Sequence, residues 1–454
     1  MLIMNEKVKD ILEKNNLWWQ SKGVAPVVPE FERERVKSLY SNDKKKAIIL
    51  IGPRQAGKTT IIKQTIKNLL KHIDTQNIVY APMDILKGAT VMDVIRAHSE
   101  LTGRTKGTYY FFDEVHYDKD WSVSLKTLVD TKTENQYYAT GSSATILLKN
   151  VSESGIGRFK FKHIMPMSFR EYAAINGNRP KIKIEFQDFE KVFKNELLVI
   201  SEQRLLEPIF QRFLIYGGFP AQFDFDYGLA EWQNHLRQNY VSLSIYKDIL
   251  TNYEVRDPAV LEDLLYLVSE KTSLPLSYDA IAKSFKLTIE TVRTYLNYLE
   301  TAGLIISCEF YTKNILKRQR RNKKFYVLDP GFNTALNYAK TLNDDVASKN
   351  VEIAVANHLV NYIRNNTGLL QVHIPYWRKK YEVDFIVDIN KHPIPVEVKY
   401  TNEVTTKDIR GMLEFMDENK SKHGLVITKN IAEFRQIDSK QIALIPALIF
   451  LAGL

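Results

Sequence analysis

Residues 46–60 read KAIILIGPRQAGKTT and carry the strongest structural signal in the chain. A short apolar run leads into a loop of the form G-x-x-x-x-G-K-[ST], and the residues from Ile61 onward have the period of a helix. Small residues in such a loop let backbone N–H groups close around a phosphate chain, and the helix N-terminus attracts anions. The pattern predicts a strand, a phosphate-binding loop and a helix that bind ATP. The predicted nucleotide contacts are Gly52, Pro53, Arg54, Gln55, Ala56, Gly57, Lys58, Thr59 and Thr60.

A second apolar run, TYYFFDE at residues 108–114, ends in two carboxylates. A parallel sheet binds ligands at the carboxyl ends of its strands, so this end should meet the phosphate-binding loop. We expect Lys58 to reach the β- and γ-phosphates, Thr59 to ligate Mg²⁺ and Asp113 to hold that ion through water. Glu114 would orient and deprotonate the attacking water. Lys58 and Glu114 are therefore the candidate catalytic residues of an ATPase.

A third predicted strand, Gln136–Ala139, is followed by hydroxyl side chains at residues 140–143. These hydroxyls lie where a γ-phosphate could be sensed, and Ser142 is the candidate contact. The alternative for Ser142 and Ser143 is the N-cap of a helix. The sequence leaves both interpretations open.

The composition is that of a globular protein with several domains. The chain has 454 residues, 44% of them hydrophobic, which favours two to four domains. A single cysteine excludes an internal disulfide and a cysteine zinc site. We find no signal peptide, and the apolar run at 442–454 is too short for a membrane span, so we expect a cytoplasmic protein without a membrane partner. The net charge of +10 favours an acidic polymer as partner.

The order of the motifs resembles the AAA+-type P-loop ATPases of archaea and bacteria that carry a C-terminal domain of largely uncharacterised function. The resemblance covers nearly the whole chain. It is carried by Trp18-Trp19, residues 52–60, FFDEVH at 111–116, D-x-x-W at 118–121, ATGSS at 139–143, Gly157-Arg158, PMSFREY at 166–172 and YGGFP at 216–220. It implies that Arg158 is an arginine finger or sensor arginine, and a surface salt bridge is the alternative. A finger would require a neighbouring subunit, which makes an oligomer compatible with the sequence.

Residues 277–303 have the pattern of a winged helix-turn-helix, with a turn at 286–288 and a second helix that ends at Gly303. The second helix could present Arg293 to DNA. A strand at 304–311 would lead into a wing at 313–324, which has seven Lys or Arg residues and no acid. Such a segment favours DNA contact that is non-specific or structure-specific, although winged helices also bind proteins. The predicted contacts in the wing are Lys317, Arg318, Arg320, Arg321, Lys323 and Lys324.

The last part of the chain contains Asp384, followed after a predicted hairpin at 390–393 by Glu397-x-Lys399. This trio resembles the core of the PD-(D/E)xK nucleases, which implies that Asp384 and Glu397 hold Mg²⁺ or Mn²⁺ and that Lys399 is catalytic. By the same resemblance Glu352, on a preceding helix, is a further metal ligand. The alternative is a nuclease-like domain that binds nucleic acid or protein without cutting.

The sequence thus predicts an α/β protein with four parts. These are an N-terminal arm (1–44), an AAA+-like P-loop NTPase domain with a parallel sheet and a lid (45–225), a helical linker with a winged helix-turn-helix (226–340) and a restriction-endonuclease-like α/β domain (341–454). The function expected is an ATPase that binds DNA and carries a candidate metal-dependent nuclease site. The competing hypothesis is an ATP-dependent switch or scaffold that binds protein partners.

Overall fold

A computed structural model describes the chain except for residues 1, 22, 34, 35, 37, 38, 40–45, 132, 133, 142–156, 187, 225–227, 370, 371, 390 and 391. The described residues fall into two units, Met1–Met165 and Pro166–Leu454. The predicted division into four parts stays a prediction. None of the described helices has both the length and the apolar character that a membrane crossing needs.

The first unit is built on a five-stranded parallel sheet with the order β2-β3-β4-β1-β5. Its strands are β1 (Ala47–Ile51), β2 (Ile78–Pro82), β3 (Tyr109–Asp113), β4 (Gln136–Gly141) and β5 (Phe159–His163). Its helices are α1 (Leu2–Asn15), α2 (Lys58–Leu69), α3 (Val91–Thr102) and α4 (Trp121–Asp130). Every residue of β1 is buried, as expected for a strand covered on both faces. The predicted strand, loop and helix at 46–70 are confirmed.

The N-terminal segment covers the edge strand β2. The Asn16 side chain donates to the Tyr80 carbonyl oxygen (2.9 Å) and accepts from the Tyr80 N–H (2.7 Å). The indole N–H groups of Trp18 and Trp19 both donate to the Ile78 carbonyl oxygen. Backbone groups of an edge strand need such partners, so these side chains complete the sheet at this edge.

The second unit contains many helices, two small β-pairs and a larger sheet. Its helices are α5 (Phe169–Ile175), α6 (Glu190–Phe193), α7 (Glu196–Tyr216), α8 (Leu229–His235), α9 (Leu250–Asn252), α10 (Pro258–Glu270), α11 (Tyr278–Phe285), α12 (Ile289–Thr301), α13 (Ile315–Arg320), α14 (Pro330–Leu336), α15 (Asp344–Thr367), α16 (Arg410–Asn419) and α17 (Ala447–Gly453). One segment of the predicted helical linker is wound as two π-helical pieces, Leu236–Ser242 and Ser244–Ile249. Its helical character is confirmed.

Two helices and one strand pair follow in the region of the predicted helix-turn-helix. Helices α11 and α12 are joined by a turn in which Lys286 has a left-handed backbone, and Gly303 ends α12 with φ of 73°. Strands β6 (Ile305–Cys308) and β7 (Lys324–Val327) pair antiparallel. The expected strand at 304–311 is therefore shorter than predicted. The expected wing also differs, because helix α13 and not an open loop connects the two strands.

The larger sheet of the second unit has the order β10-β11-β12-β14-β13 and is mixed. The remaining strands are β8 (Trp377–Arg378), β9 (Glu382–Val383), β10 (Phe385–Ile389), β11 (His392–Lys399), β12 (His423–Thr428), β13 (Glu433–Ile437) and β14 (Lys440–Pro446). Strands β10 and β11 pair antiparallel with Ile389 opposite His392, which confirms the predicted hairpin. Its residues 390 and 391 lie outside the described part. The final apolar run supplies both β14 and α17.

The YGGFP motif at 216–220 contacts the buried side chain of Asp329. The Asp329 carboxylate accepts from the Gly218 N–H (2.9 Å) and the Gly331 N–H (2.8 Å). A Cβ on Gly217, which has φ of 76°, would lie 1.7 Å from an Asp329 oxygen. Burial raises the pKa of Asp329 to about 7 although both N–H groups oppose the shift. The motif is therefore explained by the close approach of a buried carboxyl group.

Candidate nucleotide and carboxylate sites

The loop at 52–57 has the backbone geometry of a phosphate cradle. A Cβ on Gly52 would lie 1.9 Å from the Ile164 carbonyl oxygen, so only glycine fits beside β5. Gly57 is left-handed, with φ of 90°, and immediately precedes α2. The first N–H groups of a helix lack partners within it, and those of α2 directly follow the loop. The predicted ligand, a triphosphate, therefore fits this loop.

Two basic side chains hold the loop from inside. The Lys58 ammonium donates to the carbonyl oxygens of Gly52 (3.0 Å) and Pro53 (2.8 Å). Arg33 donates to the carbonyl oxygens of Ala56 (2.9 Å) and Met165 (3.0 Å) and is buried. Sequence reasoning missed Arg33, because an arginine in a charged run is ordinarily solvated and only the tertiary fold buries it.

Both carboxylate oxygens of Asp113 accept hydrogen bonds. Thr140 donates to one oxygen (2.5 Å) and the Tyr80 hydroxyl donates to the other (2.8 Å). Burial, and then the Asp113 charge, raise the pKa of Tyr80, so its hydroxyl stays protonated and remains a donor. Strands β2, β3 and β4 thus each contribute one member of this cluster. The ends of β3 and β4 are therefore joined through Asp113 and Thr140, and the expected meeting of Asp113 with the phosphate-binding loop stays a prediction.

Glu114 has an unusual backbone. Its φ of 54° and ψ of 49° are left-handed, a conformation that costs about 1 kcal/mol for a residue with a side chain. The Thr140 hydroxyl accepts the Glu114 N–H (2.8 Å) and stabilises this turn. The carboxylate is partly exposed and lies 3.2 Å from a ring nitrogen of His116. Strain of this kind concentrates at functional sites, in keeping with the predicted base.

Ser142 and Arg158 were also predicted for the nucleotide site. Ser142 is outside the described residues, and so is Ser143. Arg158 is half-exposed and pairs with Asp130, with 2.6 Å between its Nε atom and the carboxylate. This pair is the surface salt bridge that the sequence left open. The role of Arg158 as a finger stays a prediction.

In the second unit, Asp384 lies in a network that spans three segments. One carboxylate oxygen accepts the Val398 N–H (3.0 Å) on strand β11. The other lies 3.2 Å from the Lys324 ammonium, which is also 2.6 Å from Glu382. The Lys324 side chain is fully buried. Its predicted contact with nucleic acid is therefore wrong, because a buried and paired ammonium group cannot reach a phosphate backbone.

Glu397 and Lys399 face the same side of β11, as predicted, and form an ion pair of 2.7 Å. Glu397 is buried, and its second oxygen has no hydrogen-bond partner among the described residues. Burial, and then the charge of Asp384, raise the pKa of Glu397 to about 8. Burial and Asp384 likewise raise the pKa of Glu352 to about 7, and Glu352 accepts the Tyr326 hydroxyl (2.7 Å). Glu352 on α15 and Glu397 on β11 therefore both lie near the carboxylate of Asp384.

The donor set suits a divalent cation with a preference for oxygen ligands. Carboxylates are the side chains that Mg²⁺ and Mn²⁺ prefer, and the second Glu397 oxygen is a buried acceptor without a partner among the described residues. Within the described residues, however, no three His, Cys, Asp or Glu side chains lie close enough to hold a metal together. Asp384, Glu397 and the expected third ligand, Glu352, therefore do not form such a group, which leaves the pair Asp384 and Glu397 as the candidate ligands. Such pairs hold Mg²⁺ when waters and substrate phosphates complete the coordination.

The exposed basic residues lie on and after helix α13. Lys317, Arg320 and Arg321 are exposed, whereas Arg318 and Lys323 lie 3.5 and 2.9 Å from the carboxylate of Glu309. Arg293 is exposed on α12, with its guanidinium 5.0 Å from the centre of the Tyr278 ring. Of the seven residues predicted to contact nucleic acid, these six remain at or near the surface, and Lys324 does not.

Three family models match the chain. An AAA domain matches residues 44–173, the Domain of unknown function (DUF8612) matches 207–344, and the Domain of unknown function (DUF4143) matches 348–448. The first match agrees with the parallel sheet and the phosphate cradle, and it supports ATPase activity in this part of the chain. A domain of this kind implies a nucleotide and usually Mg²⁺ as ligands.

Proteins that are similar over most of this chain have no described function. An uncharacterised protein of Methanocaldococcus jannaschii is 28% identical over 413 residues, which cover 87% of this chain and 83% of that protein. An uncharacterised protein of Haemophilus influenzae is 22% identical, with 87% and 92% covered. These long matches indicate that the three matched segments occur together in other organisms.

Solved structures show only a distant likeness. The Aeropyrum pernix ORC2 protein in its ADP form is 13% identical with a TM-score of 0.31, over 74% of this chain and 97% of that one. A STAND (signal transduction ATPase with numerous domains) protein of Pyrococcus horikoshii is 12% identical with a TM-score of 0.25, over 76% of this chain and 47% of that one. Likenesses this weak carry no argument about function.

Proposed function

We propose that this chain hydrolyses ATP in its AAA domain and binds DNA through its second unit, with the ATP state controlling DNA affinity. The observation that supports DNA binding is the exposed basic surface of Lys317, Arg320 and Arg321, which follows the helix pair α11 and α12. These three residues form the α13 surface. An acidic polymer is also the partner that the net charge of +10 favours.

In the ATPase site each residue has a distinct task. The loop and the first turn of α2 would hold the phosphates through backbone N–H groups, and Lys58 would leave its loop carbonyls for the β- and γ-phosphates. Thr59 and Asp113 would hold Mg²⁺, which neutralises charge on the phosphates. Glu114 would take the proton of the attacking water, and Thr140 positions both Asp113 and Glu114 through its hydroxyl.

Two variants test the ATPase assignments. Lys58→Ala should lose nucleotide affinity, measured with a fluorescent ATP analogue. Glu114→Gln should still bind ATP and hydrolyse it at least a hundredfold more slowly, as expected when a general base is removed. A matched control is Glu134→Gln, which changes an exposed acid of the same unit. Undiminished turnover in Glu114→Gln would show that another group activates the water.

The α13 surface is suited to the phosphate backbone and not to base reading. Its three cations are exposed on one short helix and the residue after it, and the neighbouring acid, Glu309, is already paired with Arg318 and Lys323. Cations that neutralise phosphates release counterions, so binding should weaken as salt rises. We therefore expect binding without sequence specificity.

Replacing Lys317, Arg320 and Arg321 with Gln tests this surface. The slope of log affinity against log salt should become shallower by about 2 to 3, because each phosphate contact contributes about 0.9. The control replaces three exposed lysines elsewhere in the same unit, Lys340, Lys407 and Lys422. Equal affinity and slope in both triple variants would refute DNA contact at the α13 surface and favour the competing hypothesis, a switch that binds protein partners.

Coupling to ATP is tested separately. In Glu114→Gln, which should retain ATP, DNA affinity is measured by fluorescence anisotropy with ATP, with ADP and without nucleotide. A change of at least threefold between ATP and ADP is expected. Equal affinities would show that hydrolysis and DNA binding are independent.

A second candidate function is metal-dependent cleavage of DNA at the carboxylate site, supported by the buried, unpartnered oxygen of Glu397. Asp384 and Glu397 would hold Mg²⁺ or Mn²⁺, which polarises the scissile phosphate, and Lys399 would neutralise charge beside them. The test incubates labelled single-stranded, duplex and branched DNA with each metal, with and without ATP. Cutting should be lost in Glu397→Ala and kept in Glu403→Ala, an exposed acid nearby. No cutting by the wild type, with DNA binding intact, would leave recognition as the function of this domain.

A further inference from the structure

The side chain of Lys324 is a charged group buried inside the second unit. Lys324 is the first residue of β7, and its side chain is fully buried, with the ammonium 5.5 Å from the centre of the Tyr376 ring. An ammonium group removed from water costs several kcal/mol unless it is paired. The pairing comes from Glu382 and Asp384, at 2.6 and 3.2 Å.

This lysine does not belong to the sequence segment that carries the carboxylates. Lys324 and Tyr326 lie within residues 207–344, whereas Glu352, Asp384 and Glu397 lie within 348–448. Tyr326 on the same strand binds Glu352 through a hydrogen bond of 2.7 Å. Strand β7 therefore supplies two of the groups that hold the carboxylates, and the site is composed from two matched segments.

The cations of the site are shared unevenly among its four carboxyl groups. Glu382 pairs with Lys324 and Arg378, Asp384 pairs with Lys324, and Glu397 pairs with Lys399. Glu352 accepts a hydrogen bond from Tyr326. The ammonium groups of the two lysines pair with different carboxylates of the site. Lys324 lies on Asp384, whereas Lys399 contacts one oxygen of Glu397 and leaves the other buried without a partner among the described residues.

We propose that the ammonium group of Lys324 competes with a divalent cation for Asp384. This competition sets the metal affinity of the carboxylate site. This inference rests on the metal site of the second candidate function, but it does not depend on cleavage. Lys324 is a positioning residue, because it acts through Asp384.

Competition follows from simple electrostatics. A divalent cation bound by Asp384 and Glu397 would lie close to the Lys324 ammonium, and like charges at short range repel strongly where water is excluded. Binding of the metal would therefore require Lys324 to release Asp384 and rely on Glu382. Removing the lysine charge removes both the repulsion and the competitor, so the metal should bind more tightly.

The test is calorimetric titration of the full chain with MnCl₂, without nucleotide or DNA. The variants are Lys324→Met, which keeps the length of the side chain and removes its charge, and Lys340→Met, an exposed lysine of the same unit. Heat that persists in Glu397→Ala comes from other sites and is subtracted. We expect Lys324→Met to bind Mn²⁺ at least tenfold more tightly than the wild type, and Lys340→Met to match the wild type.

Lys324→Met leaves Asp384 without its cation and Glu382 with Arg378 alone, and it could unfold the domain. The double variant Lys324→Met/Glu382→Gln removes one charge of each sign and keeps Asp384, and it should show the same gain in affinity. Thermal unfolding gives a second readout. Mn²⁺ should raise the unfolding midpoint of the double variant more than that of the wild type.

Affinity in the folded variants that equals or falls below that of the wild type would overturn the proposal. The proposal would also be overturned if neither the wild type nor any of the lysine variants showed Mn²⁺ binding that depends on Glu397. DNA cleavage is not measured in this experiment, so its outcome is independent of the cleavage assay. A protein that never cuts DNA could still show the gain in metal affinity, and a nuclease could fail to show it.

Discussion

His358 should make the stability of the second unit depend on pH. Its Nε2 atom accepts the Phe169 N–H (2.9 Å) at the start of α5, so the ring proton is on Nδ1, which donates to the Ala354 carbonyl oxygen (2.7 Å). The ring is buried, with Phe213 packed edge-on against it and Glu171 the nearby acid that opposes the shift. Burial lowers the pKa of His358 from 6.5 to about 4. Protonation would turn the Nε2 acceptor into a donor that faces the Phe169 N–H.

The sign and size of the effect follow from linkage. Because the folded-state pKa lies below that of the unfolded chain, the unfolded state binds more protons and stability falls with falling pH. The loss begins near the unfolded pKa of 6.5 and is complete below the folded pKa of about 4. The contribution of His358 to the free energy of unfolding should be about 2 kcal/mol lower at pH 5 than at pH 7.5, and about 3 kcal/mol lower at the acid limit.

The assay is urea denaturation of the full chain, followed by circular dichroism at pH 7.5 and pH 5. Other groups also titrate in this range, so the wild type is compared with His358→Gln, which cannot titrate at this position. His392→Gln, an exposed histidine of the same unit, is the control. We expect His358→Gln to lose about 2 kcal/mol less stability than the wild type between the two pH values. Equal losses in both proteins would refute the reasoning.

Two further predictions concern fixed carboxylates. Gly217→Ala should lower the free energy of unfolding by about 2 kcal/mol or more, because its Cβ would meet Asp329 at a left-handed backbone position, whereas Gly228→Ala has open space and should be nearly neutral. Thermal unfolding of the two variants measures the difference, and equal midpoints would contradict it. Tyr80→Phe should lower kcat of ATP hydrolysis by about fivefold with KM little changed, because Asp113 loses one of its two positioning hydrogen bonds. Steady-state kinetics test this, and a change confined to KM would show that Tyr80 acts on nucleotide binding instead.

Features encoded by short sequence patterns could be predicted. The loop at 52–60, the acidic end of β3 and the hairpin of β10 and β11 each depend on neighbours in sequence, because turn chemistry and strand alternation are local. The carboxyl ends of parallel strands must lie at one edge of their sheet, so the strand pattern alone was enough to predict that Asp113 lies near the phosphate-binding loop, whereas its hydrogen bonds to Thr140 and Tyr80 were not predicted.

Features set by tertiary burial could not be predicted. Lys324 follows a run of exposed basic residues, and nothing within that run distinguishes it from its neighbours. It pairs with Glu382 and Asp384, which are far from it in sequence. Arg33 was missed for the same reason, and helix α13 formed where a loop was expected because Asn314 caps it by accepting the Lys317 N–H.

The side chains that cover strand β2 have a consequence for how the first unit behaves in solution. Asn16 satisfies both backbone groups of Tyr80, and the two tryptophan indoles occupy the carbonyl oxygen of Ile78. A chain shortened past Trp19 would present an unpaired, apolar strand edge, the kind of surface onto which another chain can add a strand. The first twenty residues therefore protect the ATPase unit from self-association, and a truncated version would be prone to aggregate even with its nucleotide site intact.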